Sequence, residues 1–370
     1  MSNFTCAVPC LFGLEGIAAQ ELRRLDFQEV RAENGRVLFT GGFSDVIRAN
    51  LNLRTGERVL LRVASFPARS FEELFQGVLA TPLEELIPRD GAFPVKGYCL
   101  SSQLHSVPDC QAIIKKAAAR RLGKAYGLGW LPETGALYQL QFSIMKDQAE
   151  LFLDTTGAGL HKRGYRAVGN DAPLRETLAA AMVTLARYRG RDCFVDPFCG
   201  SGTIAIEAAM IARNRAPGLL RSFACQKWTM SRETLWQEAR QEAISREYHG
   251  DYRIFASDID EKSLSIARSN AKKAGMDGLI CFSRTDATTL SLPEGRGTIV
   301  TNPPYGQRML EQRQAQQLLR AFGRHMRARP DYGVYIISSE EELERYYGRK
   351  ATTKRKVYNG MIKCDLYMYY

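Results

Sequence analysis

At 370 residues, with 45% hydrophobic and 25% charged side chains, the chain is long enough for two or three domains with proper cores and has the make-up of an ordinary globular protein. No apolar run reaches the roughly 18 residues of a membrane span, residues 1–11 lack the basic leader of a signal peptide, and nine cysteines without a C-x-x-C pair predict buried or free thiols in a reducing cytoplasm, with no metal site expected. The formal charge of +11 suits a polyanionic partner without naming one, and it leans to the second half: residues 1–170 hold 20 basic against 17 acidic side chains, and 171–370 hold 31 against 23.

Residues 3–60 read as a compact α/β piece. Segments 4–8, 36–40 and 59–66 are strand-like, while 13–25 places Leu14, Ile17, Ala18 and Leu22 on one helical face and 43–53 does the same with Val46, Ile47 and Leu51. A second piece, about 69–155, offers helical patterns over 71–80 and 81–86 and a strand over 93–100. A helix from Pro108 to Leu122 follows, then a hairpin of 137–144 and 149–155 turning at Lys146-Asp147. The basic residues Lys115, Lys116, Arg120, Arg121 and Lys124 lie largely off that helix's apolar face, which suits a solvated surface as well as a polyanion.

Residues 157–166, Gly-Ala-Gly-Leu-His-Lys-Arg-Gly-Tyr-Arg, break the pattern and mark the boundary between halves. Flexibility alone would ask for such glycines, but Tyr165 among His161, Lys162, Arg163 and Arg166 also suits a nucleic-acid backbone or base. A helix from Pro173, with Glu176 and Thr177 in its first turn, opens the second half. Residues 192–203 then combine a buried strand ending at Asp196, a tight turn Phe198-Cys199-Gly200-Ser201-Gly202 and a helix start at Thr203. Such a loop serves a dinucleotide, a phosphate, S-adenosylmethionine or nothing but the turn. Its Gly-Ser-Gly-Thr spacing matches neither G-x-G-x-x-G nor G-x-x-x-x-G-K-[ST].

An insertion rich in Arg, Glu and Trp, 213–250, contains a helix expected to be capped by Ser231. A second strand ends at Asp258 and Ile259, with Asp260 read as the cap of the next helix. A third stops before Asp286 and Ala287, and a fourth runs into Asn302-Pro303-Pro304-Tyr305. A helix over 310–328, a strand from Tyr332 and a hairpin around Asn359-Gly360 complete a mostly parallel sheet with an antiparallel edge.

In an open α/β sheet the carboxyl ends of the strands line the ligand crevice, so Asp196, Asp258, Asp286 and Asn302 are expected to converge. Asp258 suits two ribose hydroxyls and Asp286 an adenine amino group. Two consecutive prolines remove two N–H donors, so the Pro303 carbonyl and the Asn302 side-chain oxygen offer acceptors to one planar amine, with the Tyr305 ring for stacking a base. Holding an exocyclic amine in this way lets its nitrogen pyramidalise and attack a methyl sulfonium.

Taken in order, Asp196-Pro-Phe-Cys-Gly-Ser-Gly-Thr203, Asp258, Asp286 and Asn302-Pro-Pro-Tyr-Gly306 resemble the class I S-adenosylmethionine-dependent amino-methyltransferases. With 160–166 and 172–177 the whole chain resembles the bacterial THUMP-domain RNA methyltransferases, close to the N-terminal half of the bifunctional large-subunit rRNA methyltransferase. That resemblance implies a ferredoxin-like α+β piece over 1–60, a THUMP RNA-binding module over 45–155, a junction over 156–170 and a seven-stranded Rossmann-like α/β catalytic domain over 171–370. It implies methylation of the 2-amino group of a guanosine, with 23S rRNA as the expected partner, S-adenosylmethionine as cofactor and S-adenosylhomocysteine as product. Cofactor contacts are expected from Glu176, Thr177, Asp196, Phe198, Cys199, Gly200, Ser201, Gly202, Thr203, Asp258, Ile259, Asp286, Ala287 and Asn302. RNA contacts are expected from Lys115, Lys116, Arg120, Arg121, His161, Lys162, Arg163, Tyr165 and Arg166. The motifs leave open a tRNA guanosine, an adenine amine in RNA or DNA, or an RNA-binding assembly factor with an idle catalytic domain.

Overall fold

The computed structural model describes residues 3–166, 174–304 and 309–370. In the first half, β1 (Phe4–Pro9), α1 (Glu15–Arg24), β2 (Gln28–Glu33), β3 (Arg36–Gly41), α2 (Phe43–Asn52) and β4 (Leu60–Pro67) are followed by α3 (Phe71–Ala80), β5 (Val95–Leu100), α4 (Val107–Tyr126), β6 (Leu140–Met145) and β7 (Gln148–Asp154). All seven strands share one sheet, in the order β2-β3-β1-β4-β7-β6-β5. The two pieces read from the sequence are therefore welded: β4 pairs with β1 at Cys6↔Leu61 and with β7 from Leu60↔Asp154 to Pro67↔Gln148. One apolar cluster runs through Cys6, Leu61, Leu153 and Ile114. Strand β2 was not expected, because Gln-Glu-Val-Arg-Ala-Glu on an exposed sheet edge has no apolar alternation to reveal it.

The second half contains α5 (Glu176–Leu185), β8 (Cys193–Asp196), α6 (Thr203–Ala212), α7 (Glu233–Ser245), β9 (Ile254–Asp258), α8 (Glu261–Ala274) and β10 (Ile280–Arg284). It ends with β11 (Gly297–Thr301), α9 (Met309–Arg327), β12 (Tyr332–Ser338), α10 (Leu343–Tyr347), β13 (Thr353–Asn359) and β14 (Ile362–Tyr369). The sheet order is β10-β9-β8-β11-β12-β14-β13, with β8 to β12 parallel and β14 antiparallel to β12. All of β8 is buried, as expected for a central strand covered on both faces. Strand order reverses between β8 and β11, which opens a crevice at their carboxyl ends.

The insertion packs on the first half. Trp228 stacks on Tyr138 with ring centroids 4.8 Å apart, and Trp236 stacks on Phe223 at 5.4 Å within the same apolar cluster. In exchange, Leu14 at the N-cap of α1 and Ile17 within it enter the core of the second half. Ser231 does not cap α7. Arg232 occupies that position, and the Ser231 hydroxyl instead accepts a 2.8 Å bond from Trp236 Nε1. Among the described residues no helix is long and apolar enough to cross a membrane, and no group of three or more His, Cys, Asp or Glu is placed to hold a metal.

Candidate functional site

At the carboxyl ends of β8, β9 and β11 lies a cavity of about 580 Å³, a size usual for small-molecule sites. Asp196, Phe198, Cys199, Gly200, Ser201, Thr203, Asp258, Ile259, Asp286, Ala287, Asn302, Pro303 and Pro304 all line it. Residues about 100 positions apart thus meet as the parallel topology requires. Tyr305 lies outside the described residues.

The glycine turn has two different reasons for its glycines. Gly200 has φ +50°, and a Cβ there would meet nothing within 4 Å, so this stretch of backbone faces open space. Gly202 has φ +82°, and its Cβ would come within 3.0 Å of the Ala267 methyl, so that glycine serves the close approach of α8. The turn is pinned from behind: the Asn270 side chain donates to the Ser201 carbonyl at 3.0 Å, and Cys199 N–H donates to the Ser257 carbonyl at 2.9 Å. Asn270 was missed in the sequence. Its signal was a polar residue in the otherwise apolar stripe of Ala267, Ala271 and Ala274.

Asp258 Oδ2 accepts the Gly200 N–H at 2.9 Å, and Oδ1 accepts the Asp260 N–H at 3.0 Å. Each oxygen keeps a second lone pair for a hydroxyl donor. Asp286 Oδ1 accepts the N–H and hydroxyl of Thr288, both at 2.8 Å, and these bonds hold its carboxyl below the usual range. Asp260 caps α8, accepting from the N–H groups of Lys262 and Ser263.

Asp196 is fully buried. Its Oδ1 accepts the Thr301 hydroxyl at 2.8 Å, while Oδ2 has no hydrogen-bond partner among the described residues. Burial pushes its carboxyl up to about 7, and the Asp258 charge adds to the rise. An orphan acceptor on the cavity wall fits the ammonium group of a methionine-derived cofactor. Because the folded value lies above the unfolded one, this group's contribution to stability is full below about pH 4 and lost as pH rises through about 7. A cation bound beside it lowers its pKa. Binding of S-adenosylhomocysteine near pH 6.5 is therefore expected to release a proton, seen as a calorimetric heat that changes with the buffer's ionisation enthalpy. The Asp196→Asn protein should show no such dependence.

Glu176, Thr177 and Gly202 do not line the cavity. Glu176 is buried with its Oε1 3.4 Å from Arg166 Nε, and the Thr177 hydroxyl donates to Glu57 Oε1 at 2.5 Å. Burial would raise the Glu57 carboxyl, but His161, Thr177 and Arg175 outweigh it and hold it low. Arg166 also donates to the Thr203 hydroxyl at 2.7 Å, so the junction touches the glycine turn directly.

Residues 157–166 are not a surface ribbon, which corrects the expectation for three RNA candidates. Arg163 is 1% exposed and its guanidinium faces Glu207 at 3.2 Å, and Tyr165 is 0% exposed with its hydroxyl donating to the same carboxylate at 3.2 Å. Arg166 is turned inward as described. Of the rest, Lys115 sits 3.4 Å over the Phe93 ring and pairs with Glu133, and Arg121 pairs with Glu84. His161 lies beside Glu57. Lys116, Arg120, Lys124 and Lys162 are the exposed cations of the two segments.

Comparison with known proteins gives three matches along the chain: an RlmL ferredoxin-like domain over residues 5–60, a THUMP domain over 68–154 and an RMKL-like methyltransferase domain over 163–368. YpsC of Bacillus subtilis (strain 168), provisionally named an RNA methyltransferase, is 44% identical over 375 residues, covering 100% of this chain and 97% of that protein. Ribosomal RNA large subunit methyltransferase K/L of Psychromonas ingrahamii is 32% identical over 98% of this chain and 49% of its own length, so the chain spans about half of that relative. A Listeria monocytogenes structure described as a predicted N6-adenine-specific DNA methylase has a TM-score of 0.95 at 43% identity, covering 100% of this chain and 97% of that one. SMU.472, provisionally named a methyltransferase and crystallised with S-adenosylhomocysteine, has a TM-score of 0.93 at 38% identity, covering 100% and 98%.

Proposed function

Because this chain belongs to the RMKL-like methyltransferase family, with RlmL ferredoxin-like and THUMP domains ahead of the catalytic one, we propose that it transfers a methyl group from S-adenosylmethionine to the exocyclic 2-amino group of a guanosine in RNA, with 23S rRNA as the substrate. The observation that carries this reading is the meeting of Asn302, Pro303 and Pro304 with the glycine turn, Asp258 and Asp286 on one cavity wall. When bound, S-adenosylmethionine supplies an electrophilic methyl on a sulfonium. The chain's own residues do the positioning. Gly200 leaves its backbone open to a ligand, Asp258 keeps acceptor capacity for ribose hydroxyls, and Asp196 offers a buried acceptor to a cation. The Asn302 side-chain oxygen and the Pro303 carbonyl accept the hydrogens of the target amine, which no N–H of either proline can contest.

Asp258→Ala removes both the ribose acceptor and the partner of the Gly200 N–H. Affinity for S-adenosylhomocysteine is expected to fall about 100-fold by calorimetry, in line with the loss of two hydrogen bonds to a charged group.

The reading is tested by nucleoside mass spectrometry of 23S rRNA from a strain lacking the gene, before and after treatment with the purified protein and S-adenosylmethionine. Newly formed 2-methylguanosine is expected. A second reading, an adenine amino-methyltransferase on DNA, is favoured by the description of the Listeria relative, and 6-methyladenine in DNA with unmodified RNA would establish it. Cofactor binding without methylation of any nucleic acid would leave an idle RNA-binding factor.

A further inference from the structure

A second cleft, about 660 Å³, lies between α1, the end of α2 and the carboxyl ends of α5, α6 and α7. Arg189 precedes β8 and Asn214 follows α6, so this cleft opens at the amino ends of the parallel strands, across the sheet from Asp196 and Asn302. Arg24, Arg54, Arg189 and Arg246 line it, and Glu21 is the one acidic residue among its described walls.

Glu21 is already engaged. Its Oε1 accepts the Arg54 backbone N–H at 2.6 Å, and Oε2 accepts the N–H and hydroxyl of Thr55 at 3.1 and 2.8 Å. Arg246 faces Glu242 at 3.3 Å on the surface of α7. Arg54 Nη1 is buried and has no hydrogen-bond partner among the described residues. Burial lowers the pKa of Arg54, and partial desolvation that of the exposed Arg189; the charges of Arg163 and Arg189 add to it at Arg54, against Glu21 and Glu207, and the charge of Arg24 adds to it at Arg189. The helix dipole accounts for Arg24 and Arg246, which sit at the carboxyl ends of α1 and α7. It does not account for Arg54 and Arg189, which lie outside both helices and line the same cleft.

We propose that this cleft is a phosphate-binding site, in which Arg24, Arg54 and Arg189 take a phosphoryl or pyrophosphoryl group remote from the methyl-transfer crevice. An anion there accepts hydrogen bonds from the exposed guanidinium groups of Arg24 and Arg189 and cancels the repulsion between them and Arg54. The phosphate belongs either to a free nucleotide or to the backbone of bound RNA, and the chemistry of recognition is the same for both.

The probe is inorganic pyrophosphate, titrated calorimetrically into the full chain at low salt with the crevice saturated by S-adenosylhomocysteine. One equivalent should bind and raise the melting temperature. The double substitution Arg24→Gln/Arg189→Gln alters two exposed side chains and should weaken pyrophosphate at least about tenfold, the loss expected of two charge-assisted contacts, while S-adenosylhomocysteine affinity stays unchanged. No binding by the unmodified protein, or equal binding by the variant, overturns the site. RNA affinity across a salt series then identifies the source. A variant slope shallower by about 1–2 assigns an RNA phosphate, whereas an unchanged slope alongside lost pyrophosphate binding assigns a free ligand.

Discussion

Replacing Asn302 with alanine is expected to slow methyl transfer by about 10²–10³-fold, the loss seen when one preorganised polar group of a reaction site is removed, while cofactor affinity stays within about twofold. The target amine is a weak nucleophile because its lone pair is delocalised into the base. Only as nitrogen turns tetrahedral do its hydrogens gain enough positive charge to reward two acceptors, so the missing oxygen is felt in the transition state more than in the bound ground state. Pro303 keeps its carbonyl in the variant, which is why loss is not expected to be total. Single-turnover methyl transfer measured beside calorimetric cofactor binding separates the two steps. Undiminished transfer by the variant would falsify the amine-holding role, and loss of cofactor affinity would move Asn302 to the binding side of the site.

Arg163→Leu is expected to destabilise the fold by about 3–5 kcal/mol, the usual result of removing one partner of a buried ion pair. Arg163 is 1% exposed and Glu207 0% exposed. The guanidinium lies 3.2 Å from Glu207 Oε1 and also donates to the carbonyls of Arg54 at 2.5 Å and Leu160 at 3.0 Å. Leucine fills part of the volume but removes the cation opposite the carboxylate, which keeps the Tyr165 hydroxyl, and the donor to these carbonyls. Substituting Glu207→Leu in the same chain should recover part of the loss, since an uncompensated charge costs more than an apolar pair. Urea denaturation of the single and double variants measures both effects. A single variant as stable as the parent would mean that water reaches Glu207.

This pair also joins the halves. Arg163 belongs to the junction, Glu207 to α6, and the start of α6 carries the turn that lines the cavity. Arg166, bonded to Thr203, makes a second link a few residues on. Arg163 and Arg166 therefore tie the first half and the glycine turn into one polar network.

Local chemistry was enough to read much of the second half from sequence. The run 192–203 requires a strand, a turn and a helix because its apolar residues, two glycines and helix formers have few other arrangements. Asp260 as a cap and Lys146-Asp147 as a hairpin turn, with φ of +51° and +62°, follow from the same short-range rules. The proximity of Asp196, Asp258, Asp286 and Asn302 was legible too, since parallel strands put their carboxyl ends on one edge. What only the tertiary structure decided are the pairings that join distant segments. Composition assigns Arg163, Tyr165 and Arg166 to a linker or a nucleic-acid contact; their burial becomes affordable only with Glu207 and Glu176 opposite them. Likewise Trp228 could not be placed on the first-half core before Tyr138 was seen against it, and Trp236 joins that core stacked on Phe223 of its own insertion. The chain's short-range rules determine the crevice, and the desolvation of distant charges and aromatics determines how the THUMP-containing half is bolted to it.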